Sequence, residues 1–191
     1  AFFLTSVVLF SLSWLFLFKD YQRDRILTFL NPLSDLQDSG YNAYQSTIAV
    51  GSGGFLGKGL GYGTQSRLNY LPEYETDFVF AAFSEEWGFI GSFLLIIFYG
   101  VVVYRVIIVA RYGASNFEVL FAFGVAIMFM SHIVINIGMN IGLLPVTGIT
   151  LPFMSYGGSH LIAEFLALGI LMSARTNIRS AHRDEMRNEF L

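Results

Sequence analysis

The sequence predicts an all-α polytopic membrane protein with about four transmembrane helices and one long, structured external loop. Hydrophobic residues make up 54% of the chain, charged residues make up 13%, and the mean hydropathy is +0.59. An ordinary soluble domain carries about 25% charged residues, so this composition excludes a freely soluble globular protein. A helix needs about 20 apolar residues to cross a bilayer, and four stretches of this kind are separated by polar or glycine-rich segments.

Each apolar stretch is assigned to one membrane-spanning helix. Residues 1–18 carry no charge and are predicted to be part of a transmembrane helix, because they lack the initial methionine, basic leader and small-residue cleavage site of a signal peptide. Residues 78–110 are long enough to span the bilayer even when tilted. Residues 118–138 and 157–174 are predicted to form the third and fourth helices.

The positions of the cations predict the orientation, because loops on the cytoplasmic side are enriched in Lys and Arg. Arg105 and Arg111 flank the connection 111–117, and four arginines follow the last helix in the tail 175–191. We therefore expect these two segments to be cytoplasmic. Two interpretations of the tail are open: a continuing helix whose basic face lies on anionic lipid, or a solvated, frayed end.

The remaining segments, 19–77 and 139–156, are then extracytoplasmic. The first holds five basic and seven acidic residues, which agrees with that side. Tyr41, Tyr44 and Ile48 fall at helical spacing and predict a short amphipathic helix within it. Residues 51–63 contain seven glycines, which suits either a loop that cradles a ligand or a flexible linker, but the phosphate-loop pattern fails.

Three carboxylates precede the second spanning helix. Glu73, Glu75 and Asp77 occupy alternate positions, so in an extended segment they would share one face. One reading is that Thr76 or Asp77 caps the N-terminus of the helix, where a side-chain oxygen accepts a free backbone N–H. The other is that a carboxylate at the boundary between water and lipid removes a proton from a substrate hydroxyl. Both can hold at once.

Two polar stripes lie within the apolar helices. His132, Asn136 and Asn140 recur every four residues, and so do His160 and Glu164. Because polar groups are costly in hydrocarbon, the stripes are expected to face the bundle interior and bind each other or other helices. A proton path or a groove for a lipid headgroup is the alternative.

Composition also excludes several functions. The net charge is −3 and the basic residues form no continuous patch, so nucleic acid is not expected as a partner. The chain has no cysteine, which excludes disulfides, thiolate nucleophiles and cysteine metal sites.

Several motifs occur in order between residues 51 and 159, and together they closely resemble the SEDS family (shape, elongation, division and sporulation). They are Gly51-Ser52-Gly53-Gly54, Gly57-Lys58-Gly59, Gly63-Thr64-Gln65-Ser66, Leu71-Pro72-Glu73, Thr76-Asp77-Phe78, Glu85-Glu86 with Gly88, and Ser155-Tyr156-Gly157-Gly158-Ser159. The segment 136–139 is more similar to the RodA branch than to the cell-division branch. By this resemblance the chain is the C-terminal part of a larger helical bundle.

The resemblance implies a peptidoglycan glycosyltransferase that polymerises lipid II during cell-wall elongation and rod-shape determination. The family's essential aspartate corresponds to Asp77, the expected general base. Lys58 and Arg67 are the candidate cations for the diphosphate of lipid II, with a divalent cation (Mg or Mn) as the alternative, and no residue is assigned as a metal ligand. Four further residues match the family pattern and are expected to orient the sugar or Asp77: Gln65, Ser66, Glu73 and Thr76.

The resemblance also implies a location and partners. We expect a multi-pass protein of the bacterial inner membrane, with lipid II as substrate, a class B penicillin-binding protein as partner and the catalytic loop outside. Two other functions use the same features, namely a lipid II flippase and a non-catalytic module that docks the penicillin-binding protein. The 191-residue chain is expected to be inactive alone.

The sequence departs from the family pattern at three positions. Glu75 stands where relatives usually have histidine, and a second carboxylate near Asp77 is expected to raise the pKa of Asp77. His160 and Glu164 occupy positions that are commonly small or apolar in relatives, so the packing of the last helix is expected to differ.

Overall fold

The computed structural model describes residues 5, 19–30, 39–68, 70–113 and 115–189, and the side chains of residue 174 onward lie outside this description. The helix predicted at 1–18 lies outside the described residues, apart from Thr5. The described part of the chain is helical and contains no strand. Its helices are α1 (Asp20–Leu30), α2 (Ser39–Ser52), α3 (Thr64–Arg67), α4 (Val79–Arg111), α5 (Asn116–Asn140) and α6 (Gly158–Glu189).

The central pair, α4 and α5, is long and apolar enough to cross a membrane. At about 1.5 Å per residue, a helix must have about 20 residues to cross 30 Å of hydrocarbon, and these two helices have 33 and 25 residues. The apolar part of α6 is shorter and covers Gly158–Ser173. The backbone of α6 remains helical through Glu189, as the interpretation of the tail as a continuing helix requires.

Helices α4, α5 and α6 pack through one hydrophobic cluster. Val106 and Ala110 of α4 contact Ala122 and Phe129 of α5, and Leu171 of α6 joins them. Small residues at such a contact let two helix backbones approach closely, which is the usual basis of packing within a membrane. Large apolar side chains on the outer faces remain exposed, as expected for helices whose solvent is lipid.

The two polar stripes meet each other between α5 and α6. His160 Nε2 lies 3.3 Å from His132 Nδ1, and His160 Nδ1 lies 2.9 Å from Glu164 Oε1. The other carboxylate oxygen of Glu164 accepts the backbone N–H of Phe153 at 3.0 Å. The stripes therefore connect α5, α6 and the loop that precedes α6, as the sequence predicted for buried polar groups.

The glycine-rich segment is docked on α4 at an interruption of that helix. Gly88 has φ 67° and ψ −165°, so the helical hydrogen bonds around it are broken. The loop replaces them. Lys58 N–H donates to Glu85 C=O at 3.0 Å, and Phe89 N–H donates to Gly54 C=O at 2.8 Å.

Two further bonds complete this junction, from Gly59 N–H to Glu86 C=O and from Ile90 N–H to Phe55 C=O. The backbone groups freed by the interruption at Gly88 are thus satisfied by the loop, as buried backbone requires. The glycine-rich segment is therefore a packed structural element, and the flexible-linker interpretation is wrong.

The segment between α5 and α6 folds back toward the start of α4. Tyr99 donates its hydroxyl to Pro152 C=O at 2.6 Å, and Ser155 Oγ accepts the N–H of Leu151 at 2.7 Å. The first bond joins this segment to α4, and the second closes a turn within the segment. The long segment before α4 holds α2, where the amphipathic helix was expected, and also α1, which the sequence did not predict.

We expect Gly57→Ala to destabilise the protein. Gly57 has φ +79°, a conformation that costs an L-residue about 1–2 kcal/mol, and its new methyl group would meet the carbonyl of Glu86. Gly51→Ala is the matched control, because Gly51 lies in α2 with no described heavy atom within 4 Å of the added carbon. Thermal unfolding in detergent should show a lower Tm for Gly57→Ala only, and an equal Tm for both variants would contradict the docking of the loop.

Candidate active site

The turn that carries Asp77 immediately precedes α4 and is organised by Glu73. The carbonyl of Glu73 accepts the N–H groups of Thr76 and Asp77 at 3.1 Å each, and that of Phe78 at 3.2 Å. Glu73 itself has φ 56°, a conformation that is uncommon for a residue other than glycine. Thr76 Oγ1 also donates to Glu73 Oε2 at 2.9 Å. The structure thus brings Glu73, Thr76 and Asp77 together.

The last three carbonyls of this turn, those of Glu75, Thr76 and Asp77, accept hydrogen bonds from other segments. Tyr156 N–H donates to Glu75 C=O at 2.7 Å, and Ser155 Oγ donates to Thr76 C=O at 2.6 Å. The carbonyl of Asp77 accepts one N–H from each of two side-chain amides of α5, those of Asn136 and Asn140, at 3.0 Å and 3.1 Å. The backbone of the turn is therefore fixed from two sides.

The carboxylate of Asp77, by contrast, receives no hydrogen bond from the part of the chain that the structure describes. Asp77 is half-buried, and its Oδ2 lies 3.4 Å from the position that a side-chain carbon on Gly148 would occupy. The N-cap of α4 is Phe78, with no side-chain cap. The expectation that Thr76 or Asp77 caps α4 is therefore wrong.

The surroundings of Asp77 make it a stronger base than an ordinary aspartate. Burial raises the pKa of the Asp77 carboxyl, the negative charge of Glu73 raises it further, and the positive charge of Arg25 opposes both. The direction is the one expected from the sequence. The neighbouring charge that raises the pKa is Glu73, however, while the expected Glu75 instead accepts a hydrogen bond from the Tyr74 hydroxyl.

Lys58 and Gln65 belong to a second network, which surrounds the buried carboxylate of Glu85. Lys58 Nζ lies 2.6 Å from Glu85 Oε1, and Glu85 has no exposed surface. Thr64 donates both its backbone N–H and its hydroxyl to Glu85 Oε1 at 2.9 Å, and Gln65 N–H donates to Oε2 at 3.1 Å. The charge of Lys58 is therefore already paired within the protein.

The other predicted site residues of this segment lie in α3. Arg67 is exposed, and its guanidinium approaches Gly61 C=O at 3.5 Å. Ser66 lies in α3, but its side chain is outside the description. The side-chain carbonyl of Gln65 is buried and has no hydrogen-bond donor among the described residues, so it has an unused acceptor.

Arg25 is a residue near Asp77 that sequence reasoning missed. Its guanidinium donates to Thr147 C=O at 2.9 Å, one residue before Gly148, and it lines a 220 Å³ cavity between α1, α2 and the end of α5. No local pattern indicated this contact, because Arg25 is distant from Asp77 along the chain and is brought close only by folding.

A larger pocket of 690 Å³, open to the surface, lies beside the turn. Glu75, Glu86, Ser155 and Tyr156 are among its lining residues. Ligand pockets typically enclose about 300–1,000 Å³, so this cavity has the size for part of a glycan. Among the described residues, no group of three or more His, Asp or Glu side chains is placed to hold a metal ion, so the described residues do not form a metal site made of protein ligands alone.

Comparison with known proteins identifies the family of this chain. The family model described as "Cell cycle protein", which covers FtsW, RodA and SpoVE, matches residues 1–180. Peptidoglycan glycosyltransferase MrdB of Escherichia coli (strain K12) is 44% identical over 164 residues, which are 86% of this chain and 44% of that protein. Stage V sporulation protein E of Bacillus subtilis (strain 168) is 45% identical over 153 residues, which are 80% of this chain and 42% of that protein.

A solved structure is similar as well. One chain of the structure described as "Structural coordination of polymerization and crosslinking by a peptidoglycan synthase complex" matches with a TM-score of 0.72 at 31% identity, covering 93% of this chain and 48% of that one. This chain spans less than half the length of these relatives. It is an all-α polytopic membrane protein, and it belongs to the FtsW, RodA and SpoVE family, also known as the SEDS family.

Proposed function

We propose that this chain carries the catalytic loop of a peptidoglycan glycosyltransferase that polymerises lipid II into glycan strands. Two of the relatives bear directly on this, since MrdB is named a peptidoglycan glycosyltransferase and the matching solved chain comes from a peptidoglycan synthase complex. The single observation that carries the proposal is the carboxylate of Asp77, which is half-buried, raised in pKa and free of hydrogen bonds from described residues.

In the proposed reaction, ionised Asp77 takes the proton of the 4-hydroxyl of one lipid-linked sugar. The hydroxyl oxygen attacks the anomeric carbon of a second sugar from the opposite side, and the bond from that carbon to the polyprenyl diphosphate breaks with inversion. The diphosphate leaves with the electron pair, so atoms and charges balance. A base is most effective when its pKa is raised toward the working pH, and the burial of Asp77 supplies such a shift.

The other candidate residues are proposed to act on the substrate around this base. Glu73 and Thr76 shape the turn of Asp77 and are placed to orient it. Gln65 has a free buried acceptor suited to a sugar hydroxyl. Ser66 and Arg67 are proposed to extend this surface, and Lys58 is the candidate cation for the diphosphate. A divalent cation, Mg or Mn, remains the alternative for that charge, with ligands beyond the described residues.

We further propose that the protein lies in the bacterial inner membrane, with the loop before α4 outside the cell, and that it acts in elongation. The proposed partner is a class B penicillin-binding protein. This is supported by the matching structure, which is described as coordinating polymerisation with crosslinking. The branch assignment rests on the resemblance to RodA.

Asp77→Asn in the full-length polymerase tests the proposed base. Asparagine keeps the shape of the side chain but cannot accept a proton, so kcat for polymerisation of purified lipid II should fall by about 10²–10⁴-fold. The Tm should not fall, because the raised pKa means that folding disfavours the ionised form. Asp20→Asn, which alters an exposed carboxylate of α1, is the control. Retained polymerisation by Asp77→Asn would refute the proposal.

A pair of charge variants should move the pH profile in opposite directions. Because the base works when ionised, kcat/KM rises with pH as Asp77 loses its proton. Glu73→Gln removes a charge that raises the pKa of Asp77, so the acid limb should shift to lower pH. Arg25→Gln removes a charge that lowers the same pKa, so the limb should shift to higher pH. Shifts in the same direction, or none, would argue against Asp77 as the titrating base.

Variants of the Glu85 network should separate a structural role of Lys58 from a role in binding. Lys58→Met leaves the buried charge of Glu85 without its cation, and breaking a buried pair in this way costs about 3–5 kcal/mol. The double variant Lys58→Met/Glu85→Gln removes both charges and should recover most of the lost Tm. If Lys58 also binds diphosphate, the recovered double variant keeps a raised KM for lipid II. A wild-type KM would assign Lys58 to folding alone.

A further inference from the structure

We propose that Asn140, assisted by Asn136, is a positioning residue that keeps Asp77 out of helix α4. In a regular helix the carbonyl of residue 77 would accept the N–H of residue 81. The amide of Asn140 occupies both of these groups instead. Its Nδ2 donates to Asp77 C=O at 3.1 Å, and its Oδ1 accepts Ala81 N–H at 3.1 Å.

The consequence is that α4 cannot extend toward its N-terminus. The first regular bond of the helix runs from Ala82 N–H to Phe78 C=O at 3.2 Å, and Asp77 stays in the preceding turn. The side-chain amide of Asn140 is called the wedge below, because it lies between the carbonyl of Asp77 and the N–H of Ala81. Without the wedge, these two groups would bind each other. Asp77 would then join the first turn of α4, and its carboxylate would leave its place beside Gly148.

Asn136 and Asn140 have no exposed surface, and they use their side-chain donors fully. Besides Asp77 C=O, Asn136 Nδ2 donates to Ile149 C=O at 2.8 Å, and Asn140 Nδ2 donates to Asn136 C=O at 2.8 Å. Asn140 Oδ1 also accepts the hydroxyl of Ser46 in α2 at 3.2 Å. Because burying an amide is costly unless all its groups are paired, this complete pairing fixes one orientation of the wedge.

This inference rests on the proposed role of Asp77 and adds a specific effect on rate. Asn140→Leu, which has the same branched shape and the same number of side-chain heavy atoms, removes both hydrogen bonds that Asn140 makes with Asp77 and Ala81. Since misplacing a catalytic group by about 1 Å can cost 10²-fold, we expect kcat for lipid II polymerisation to fall by about that factor, with KM changed little. The full-length polymerase is assayed with purified lipid II.

The pH profile separates positioning from simple loss of structure. At a helix N-terminus the dipole favours an ionised carboxylate, so recruiting Asp77 into α4 should lower its pKa. The acid limb of kcat/KM in Asn140→Leu should therefore shift to lower pH. A variant that merely unfolds in part would lose activity without any shift. Ser92→Ala is the matched control, because it removes buried hydrogen bonds to Ser84 and Gly88 far from Asp77, and it should leave kcat and the pH profile unchanged.

A second variant covers the case in which Asn140→Leu does not accumulate in membranes. Asn136→Leu removes one of the two donors to Asp77 C=O and leaves the wedge in place, so a smaller fall in kcat at constant KM is expected. The inference is overturned if the folded variants keep wild-type kcat and pH profile, or if activity falls only in proportion to folded protein. The proposed function fails on a different result, namely activity retained by Asp77→Asn.

Discussion

A carboxylate buried within an apolar helix is the constraint on which the arrangement outside the membrane depends. Glu85 has no exposed surface, and an unpaired charge there would cost several kcal/mol. The carboxylate of Glu85 accepts hydrogen bonds from Lys58, Thr64 and Gln65, which all belong to the loop before α4. Satisfying one charge therefore folds a glycine-rich segment onto the helix, and the interruption at Gly88 gives that segment a backbone surface to bind.

In the turn that carries Asp77, the backbone carbonyls are paired as the charge of Glu85 is, but the carboxylate of Asp77 is not paired by any described residue. The carbonyls of Glu75, Thr76 and Asp77 are each bound by a neighbouring segment. The carboxylate of Asp77 has no described donor, and its burial, followed by the negative charge of Glu73, keeps its pKa raised. A fixed backbone that presents a carboxylate of raised pKa is compatible with general acid–base chemistry.

The sequence predicted those parts of the fold that depend on local composition. Helices α4 and α5 were recognisable because both their lipid-facing and their buried sides are apolar. The role of Asp77 stays a prediction that rests on the order of motifs around it. The wedge of Asn140 was not predictable, since it joins groups far apart in sequence. The break at Gly88 was hidden within an otherwise helical pattern, and the polar α1 gave no apolar signal.

The continuous helix α6 is joined at its start to the frame around Asp77. Its 32 residues correspond to a rod of about 48 Å at 1.5 Å per residue. Near the start of α6, the carboxylate of Glu164 accepts a hydrogen bond from Phe153 N–H. Three residues after Phe153, Tyr156 N–H donates a hydrogen bond to Glu75 C=O. A displacement of the start of α6 would thus pass from Glu164 through residues 153–156 to the carbonyl of Glu75, in the backbone of the turn that carries Asp77.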